Sequence, residues 1–324
     1  MLRKMLASIF MLAFMIGLFS APSLAYDHAV VKEGTDARFN NPLYADKEVL
    51  NYLLWTVDEK LENDVIALQQ TFQLSDDQME QLRNWGLKER QLIQAELTSF
   101  QFEETQNVDL FNSIASRVFQ ERNTALKELF GEQYPLFEEW IAVWWQNEIE
   151  YRNKWLHSRA SIQADKDKIV GIFATQYLPN TSGAYEVALP DKYVKFANLG
   201  WKNDIPSHLR STYGNPPYTV NIYNPDTNKS VRNVKVDDVG PWNTDDNYWD
   251  SKNGNNPRRK FTDLSLGSPQ AYEAYTNGHN GGKDQSGRKV LNPAGIDLTP
   301  NVAADLGLKL YQNAWVDVRY ESLP

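Results

Sequence analysis

Cysteine is absent from all 324 residues. That excludes disulfides, thiol nucleophiles, cysteine zinc sites and lipidation at an N-terminal cysteine. Histidine is nearly as scarce, with four in the chain, and no Ser-His-Asp arrangement suggests itself. Basic charge is short in the first half: residues 26–165 hold 13 Lys and Arg against 25 Asp and Glu, a net charge of −12, where the whole chain carries −9. Phosphate binding needs clustered Lys and Arg, so nucleic acid is not an expected partner. Beyond residue 25 no apolar run reaches the ~20 residues that span a bilayer.

What is present begins with an address. Arg3 and Lys4 precede an apolar run over 5–19, and Ser23-Leu24-Ala25 offers a small-x-small cleavage site. This pattern predicts a secretory signal peptide over 1–25 and a secreted or cell-wall-associated protein, with an N-terminal extension over 26–44. An exported, cysteine-free chain with so short a signal reads as bacterial. Apolar residues make up 42% and aromatics 12%, enough for the cores of two domains.

The hydrophobic period divides the rest. From 45 to 160 apolar residues recur at helical spacing, first through Leu50, Leu54, Val57, Leu61, Val65, Leu68 and Phe72. Ser75 and Gln78 form a capping box ahead of a second helix, stapled by Leu74 and Met79. A third helix should end at Gly131 and a fourth should follow Pro135, its aromatics lying on one core-facing side with Trp145 exposed or at an interdomain contact. His157, near the end of that helix, suits the helix dipole. Together they predict an antiparallel helical bundle over 45–160, its partner an unidentified protein. After 161 Gly, Pro and Asn become frequent and β-rich runs appear, "KIVGIFATQY", "YTVNIYN", "VRNVKV" and "AWVDVRY", with one short helix at "TPNVAADLGL". The expected fold class is α+β in two domains, the boundary near 158–170 crossed by few contacts.

Three segments of the β half carry chemistry in a telling order: "VKVDDVGPWN" at 234–243, "AGIDLTPNVAADLGL" at 294–308 and "NAWVDVRY" at 313–320. The set resembles the domain of the rare lipoprotein A family and, more distantly, expansins and barwin-like endoglucanases. The resemblance implies a six-stranded double-psi β-barrel over 161–324, here with an insertion over 244–291. Val239 stands where the family usually has arginine, and His208 is the nearest counterpart of its upstream histidine.

Glycosidic cleavage needs a carboxylic acid to protonate the leaving oxygen, and hydrolysis needs a second carboxylate. Asp297 and then Asp238 are the candidate catalytic residues, implied by the resemblance to converge at strand ends. Each has a structural alternative, Asp238 as a turn acceptor and Asp297 as a tie for the loop before a helix N-capped by Thr299. Trp242, Asn243, Tyr248 and Trp249 are candidate sugar contacts, with Tyr248 and Trp249 expected to be exposed in a polar loop. Asp245, Asp246 and Asp250 raise calcium but match no EF-hand spacing, so neither a metal nor a cofactor is expected. His279, in a Gly-rich loop without phosphate-loop flanks, reads as a solvated residue. The implied activity is lytic-transglycosylase-like action on peptidoglycan. A non-catalytic, expansin-like binder of peptidoglycan or a related polysaccharide, or an interaction protein working through its acidic helices, are the alternatives.

Overall fold

The computed structural model describes residues 45–99, 108–160, 168–179, 181–211, 213, 218–249 and 259–321. All belong to one compact unit, Asn41–Pro324. The expected signal peptide, the 26–44 extension and Asp250 lie outside the described residues.

The helical half contains α1 (Val49–Trp55), α2 (Glu59–Phe72), α3 (Asp76–Ser99), α4 (Val108–Phe130) and α5 (Tyr134–Ala160). The first expected helix is therefore two. Thr56 and Val57, both β-branched and suited to extended backbone, break it as strand β1 (Thr56–Val57). Asp58 then restarts the helix, its carboxylate accepting the Leu61 N–H at 3.0 Å. The capping box forms as expected, with Ser75 N–H donating to Gln78 Oε1 at 2.9 Å and Gln78 N–H to Ser75 Oγ at 3.3 Å. Gly86 lets α3 cross α1 closely, since a β-carbon there would lie 3.1 Å from the backbone of Leu50 and Asn51.

The second half is built on β2 (Lys168–Gln176), β3 (Glu186–Leu189), β4 (Thr219–Asn224), β5 (Lys229–Val239), β6 (Ile296–Leu298) and β7 (Asn313–Glu321). Their order is β7-β2-β6-β3-β5-β4, and β4 pairs back to β7, closing a six-strand barrel. β1 adds to it from the helical half, pairing in parallel with Asn313 and Ala314. Three short helices interrupt the strands: α6 (Lys192–Asn198), α7 (Gln270–Asn277) and α8 (Pro300–Asp305). Only α8 was legible. Thr299 does precede it, but its hydroxyl donates to the Glu186 carbonyl at 2.9 Å rather than capping the helix.

Alternation sorts the strand residues. Val187, Leu189, Val236, Ile296, Leu298 and Val316 are fully buried inside the barrel. Phe173 and Trp315 point outward and join the helices' core instead. There Phe173 stacks on Tyr52 with ring centres 5.2 Å apart, and Trp315 meets Trp155 at 5.8 Å. Arg159 bonds both oxygens of Asp317 at 2.7 Å. Gly171, at φ +71°, leaves room for Trp155 and Leu156, where a β-carbon would fall within 2.7 Å of both. The expectation of a sparsely crossed junction is thus corrected: an apolar outer wall on β2 and β7 needs a cover, and α1 and α5 supply it.

Candidate functional site

The run "VDDV" in β5 puts two residues between valines that both face the barrel interior. Strict alternation allows only one, so the strand must bulge. The pairing shows it: Val187 is opposite Val236 and Ala188 opposite Asp238, with Asp237 the extra residue. Both aspartates are thereby kept out of the interior. Ala188 is also opposite Asp297 on β6, and Asp297 is opposite Thr175 on β2. Thr175, Asp297, Ala188 and Asp238 therefore form one row across four strands on the outer wall. Sequence reasoning paired Asp238 with Asp297, and the fold brings them to this row.

Each carboxyl is separated from Ala188 by one strand spacing, so their backbones lie about 10 Å apart. Ala188 fills little of the space between. Thr175 Oγ1 donates to Asp297 Oδ1. The Arg90 guanidinium lies 4.0 Å from the same oxygen. Asp297 retains 15% side-chain exposure. Burial raises its pKa, opposed by Arg90 and Thr175. Asp238 accepts the Val239 N–H at 2.7 Å. Burial pushes its pKa up to about 6; the Val239 N–H opposes, and Glu186, Asp297 and Asp237 add to the rise. Glu186, also raised by burial, accepts the Tyr177 hydroxyl at 3.1 Å. Burial, then Asp238, Glu186 and Asp297, hold the Tyr177 phenol well protonated. Lys195 on α6 is lowered by burial and raised by Asp238.

Arg90, Thr175, Tyr177 and Glu186 were missed by sequence reasoning. Arg90 had a signal. Glu89 and Arg90 fall seven and eight residues after Leu82 on the apolar stripe of α3, where charges imply buried pairing. Arg90 Nη2 donates to the Gln176 carbonyl at 3.1 Å and Nη1 sits 3.8 Å from the buried Glu48. Glu89 pairs with Arg122 at 2.8 Å.

The four expected sugar contacts are buried, and the exposure expected for Tyr248 and Trp249 is corrected. Trp242 donates through Nε1 to Asn292 at 3.0 Å and meets Phe111 of α4 edge-on. Asn243 binds Gln270 at 2.7 Å and accepts the Gln285 N–H at 2.8 Å, tying loops together. Tyr248, fully buried, donates to the Gly295 carbonyl at 3.0 Å, and Trp249 stacks on Tyr320 at 4.6 Å. The loop's aspartates find partners within the protein: Asp245 pairs with Lys192 at 2.6 Å, and Asp246 with Arg259 and the Gln270 N–H, both at 2.7 Å. Its aromatics are then free to enter the core. These pairings also occupy two of the three calcium candidates, the third being the undescribed Asp250. Among the described residues no group of three or more His, Asp or Glu could hold a metal ion, and no helix is long and apolar enough to cross a membrane. His208 is exposed, and His279 pairs with Asp263 at 2.9 Å. Neither joins the row.

The site defines a closed β-barrel with a carboxylate row on its outer wall, partly roofed by a helix from the preceding half. Residues 158–319, half the chain, match a family described as a domain of unknown function, DUF8814, and the chain belongs to that family. No curated protein and no solved structure matches it.

Proposed function

We propose that this is an exported bacterial cell-envelope protein whose barrel is of the double-psi type of the rare lipoprotein A family, and that it cleaves peptidoglycan glycan strands as a lytic transglycosylase does. The single observation that carries the reading is the pair Asp238 and Asp297 flanking Ala188 on one face. With backbones about 10 Å apart, the two carboxyls sit on one face with Ala188 between them, and neither depends on the other to move a proton. This arrangement suits a mechanism in which one carboxyl works as acid and then base. Asp238 takes that role, because a pKa of about 6 keeps part of it protonated near neutrality. Its proton goes to the glycosidic oxygen as the C1–O bond breaks. The substrate's own 6-hydroxyl then closes on C1 and returns a proton to Asp238, giving an anhydro end without water. Asp297, with Thr175 donating to Oδ1 and Arg90 beside it, lines the same face as an anchored carboxyl.

The same anchoring of Asp297 favours a second reading, a non-catalytic glycan binder in which the row is structural. Mass spectrometry of purified peptidoglycan after incubation separates them. Anhydromuramic ends support the transglycosylase, new reducing ends would replace it with a hydrolase, and unchanged glycan with bound protein supports the binder.

A further inference from the structure

The aromatics expected to meet sugar are buried, and a different set lies on and just after α6, the helix whose Lys195 feels the Asp238 carboxylate. α6 is capped by Asp191, which accepts the Tyr193 N–H at 3.1 Å. Its rings form a ladder: Tyr193 meets the buried Tyr213 at 5.5 Å and Phe196 at 6.0 Å, and Phe196 meets Trp201 at 5.8 Å. The backbone turns at Gly200, φ +77°, and the Trp201 N–H donates to the Phe196 carbonyl at 2.8 Å. Trp201 is thus held by its main chain while the residue is 52% exposed. Asn198 ties this helix to the bulge, donating to the Asp237 carbonyl at 2.7 Å and to its carboxylate at 3.1 Å. Trp201 follows Asn198 by less than one helical turn of sequence.

We propose that Trp201, backed by Phe196, is a platform that seats a sugar ring of the glycan next to Asp238. The inference rests on the glycan reading above and names its docking subsite. Leaving this side chain half in water forgoes its burial, so an occupant that covers it gains directly. A stable protein interface needs about 20–30 residues a side. Here the large apolar groups at the surface are Trp201 and Leu199, the latter 49% exposed, with Phe196 and Tyr193 half-buried. One flat ring, with the exposed Asn198, Lys202 and Asn203 within three residues of it in the chain, matches the size and chemistry of a pyranose, whose C–H face can lie on an indole while its hydroxyls meet polar side chains.

The test uses the full chain and two variants, Trp201→Ala and Trp201→Phe. Binding to insoluble peptidoglycan and to a soluble β-1,4-linked N-acetylglucosamine hexamer is measured beside anhydro-end formation. Trp201→Ala should weaken binding about tenfold, as expected for an aromatic anchor, with an unchanged thermal midpoint, and Trp201→Phe should recover most of the loss. Equal binding by parent and Trp201→Ala overturns the platform even if anhydro ends form, which would leave the cleavage reading standing. Trp201-dependent binding without anhydro ends removes the cleavage and keeps the platform. A parent that binds neither glycan overturns the platform.

Discussion

The barrel's outer wall has two sides that obey the same alternation and meet opposite fates. Along β2 and β7 the outward Phe173, Thr175, Trp315 and Asp317 are buried under the helices, and Arg319 emerges only at the end of β7. Along β5 they are Arg232, Lys235, Asp237 and Asp238, exposed or half-exposed. Alternation tells inside from outside, but which outside becomes core depends on what a neighbouring segment brings to it. The row containing Asp297 and Asp238 runs across the line between the two sides. Arg90 reaches Asp297 from the roof, and α6 approaches Asp238 from the open side.

Taking the cover away is the harshest test of that contrast. A chain beginning at residue 161 exposes Phe173 and Trp315, and it should lose cooperative thermal unfolding and bind a hydrophobic dye. A barrel that melts as sharply alone would show the two sides to be equivalent. Next in size, Trp315→Ala should cost about 3–5 kcal/mol in urea unfolding, whereas Arg232→Ala on the open side should stay within about 0.5 kcal/mol. Trp249→Ala belongs with the former, at about 3–5 kcal/mol, because its ring stacks on Tyr320 inside the barrel. Arg90→Met should cost about 3–5 kcal/mol by leaving Glu48 and Asp297 without their cation.

The smallest effect is in pH. The Asp238 pKa rises from 3.8 to about 6 on folding, so the folded state holds its proton more tightly. Its contribution to stability is full below pH ~4 and is lost as pH rises through about 6, by up to about 3 kcal/mol. Asp238→Asn should flatten that part of the stability profile. An unchanged slope would show that the carboxyl is not held in its acid form.

Long amphipathic helices and the strands with clear alternation were legible, because each carries its own period. α6, α7 and the short strands β3 and β6 were not, being too brief for a period to register. Within the site, the two aspartates could be paired from the order of the motifs. "VDDV" also announced a bulge to anyone counting residues between inward valines. Arg90 announced itself only as a charge on an apolar stripe, and its target could not be read without the fold. The loop at 244–249 misled for a physical reason: its aspartates find partners within the protein, so polar composition did not mean exposure. Trp201 went unread because exposure of a lone aromatic leaves no periodic trace.

The most direct test of the central claim is the yield of anhydromuramic ends from purified peptidoglycan with the parent, Asp238→Asn and Asp297→Asn. Asp238→Asn keeps an acceptor for the Val239 N–H but has no proton to transfer. The account predicts a fall of at least ~100-fold for that variant, with glycan binding retained, and a parental rate that declines as pH rises above about 6. Anhydro ends formed at the parental rate by Asp238→Asn would contradict it, whatever Asp297→Asn does.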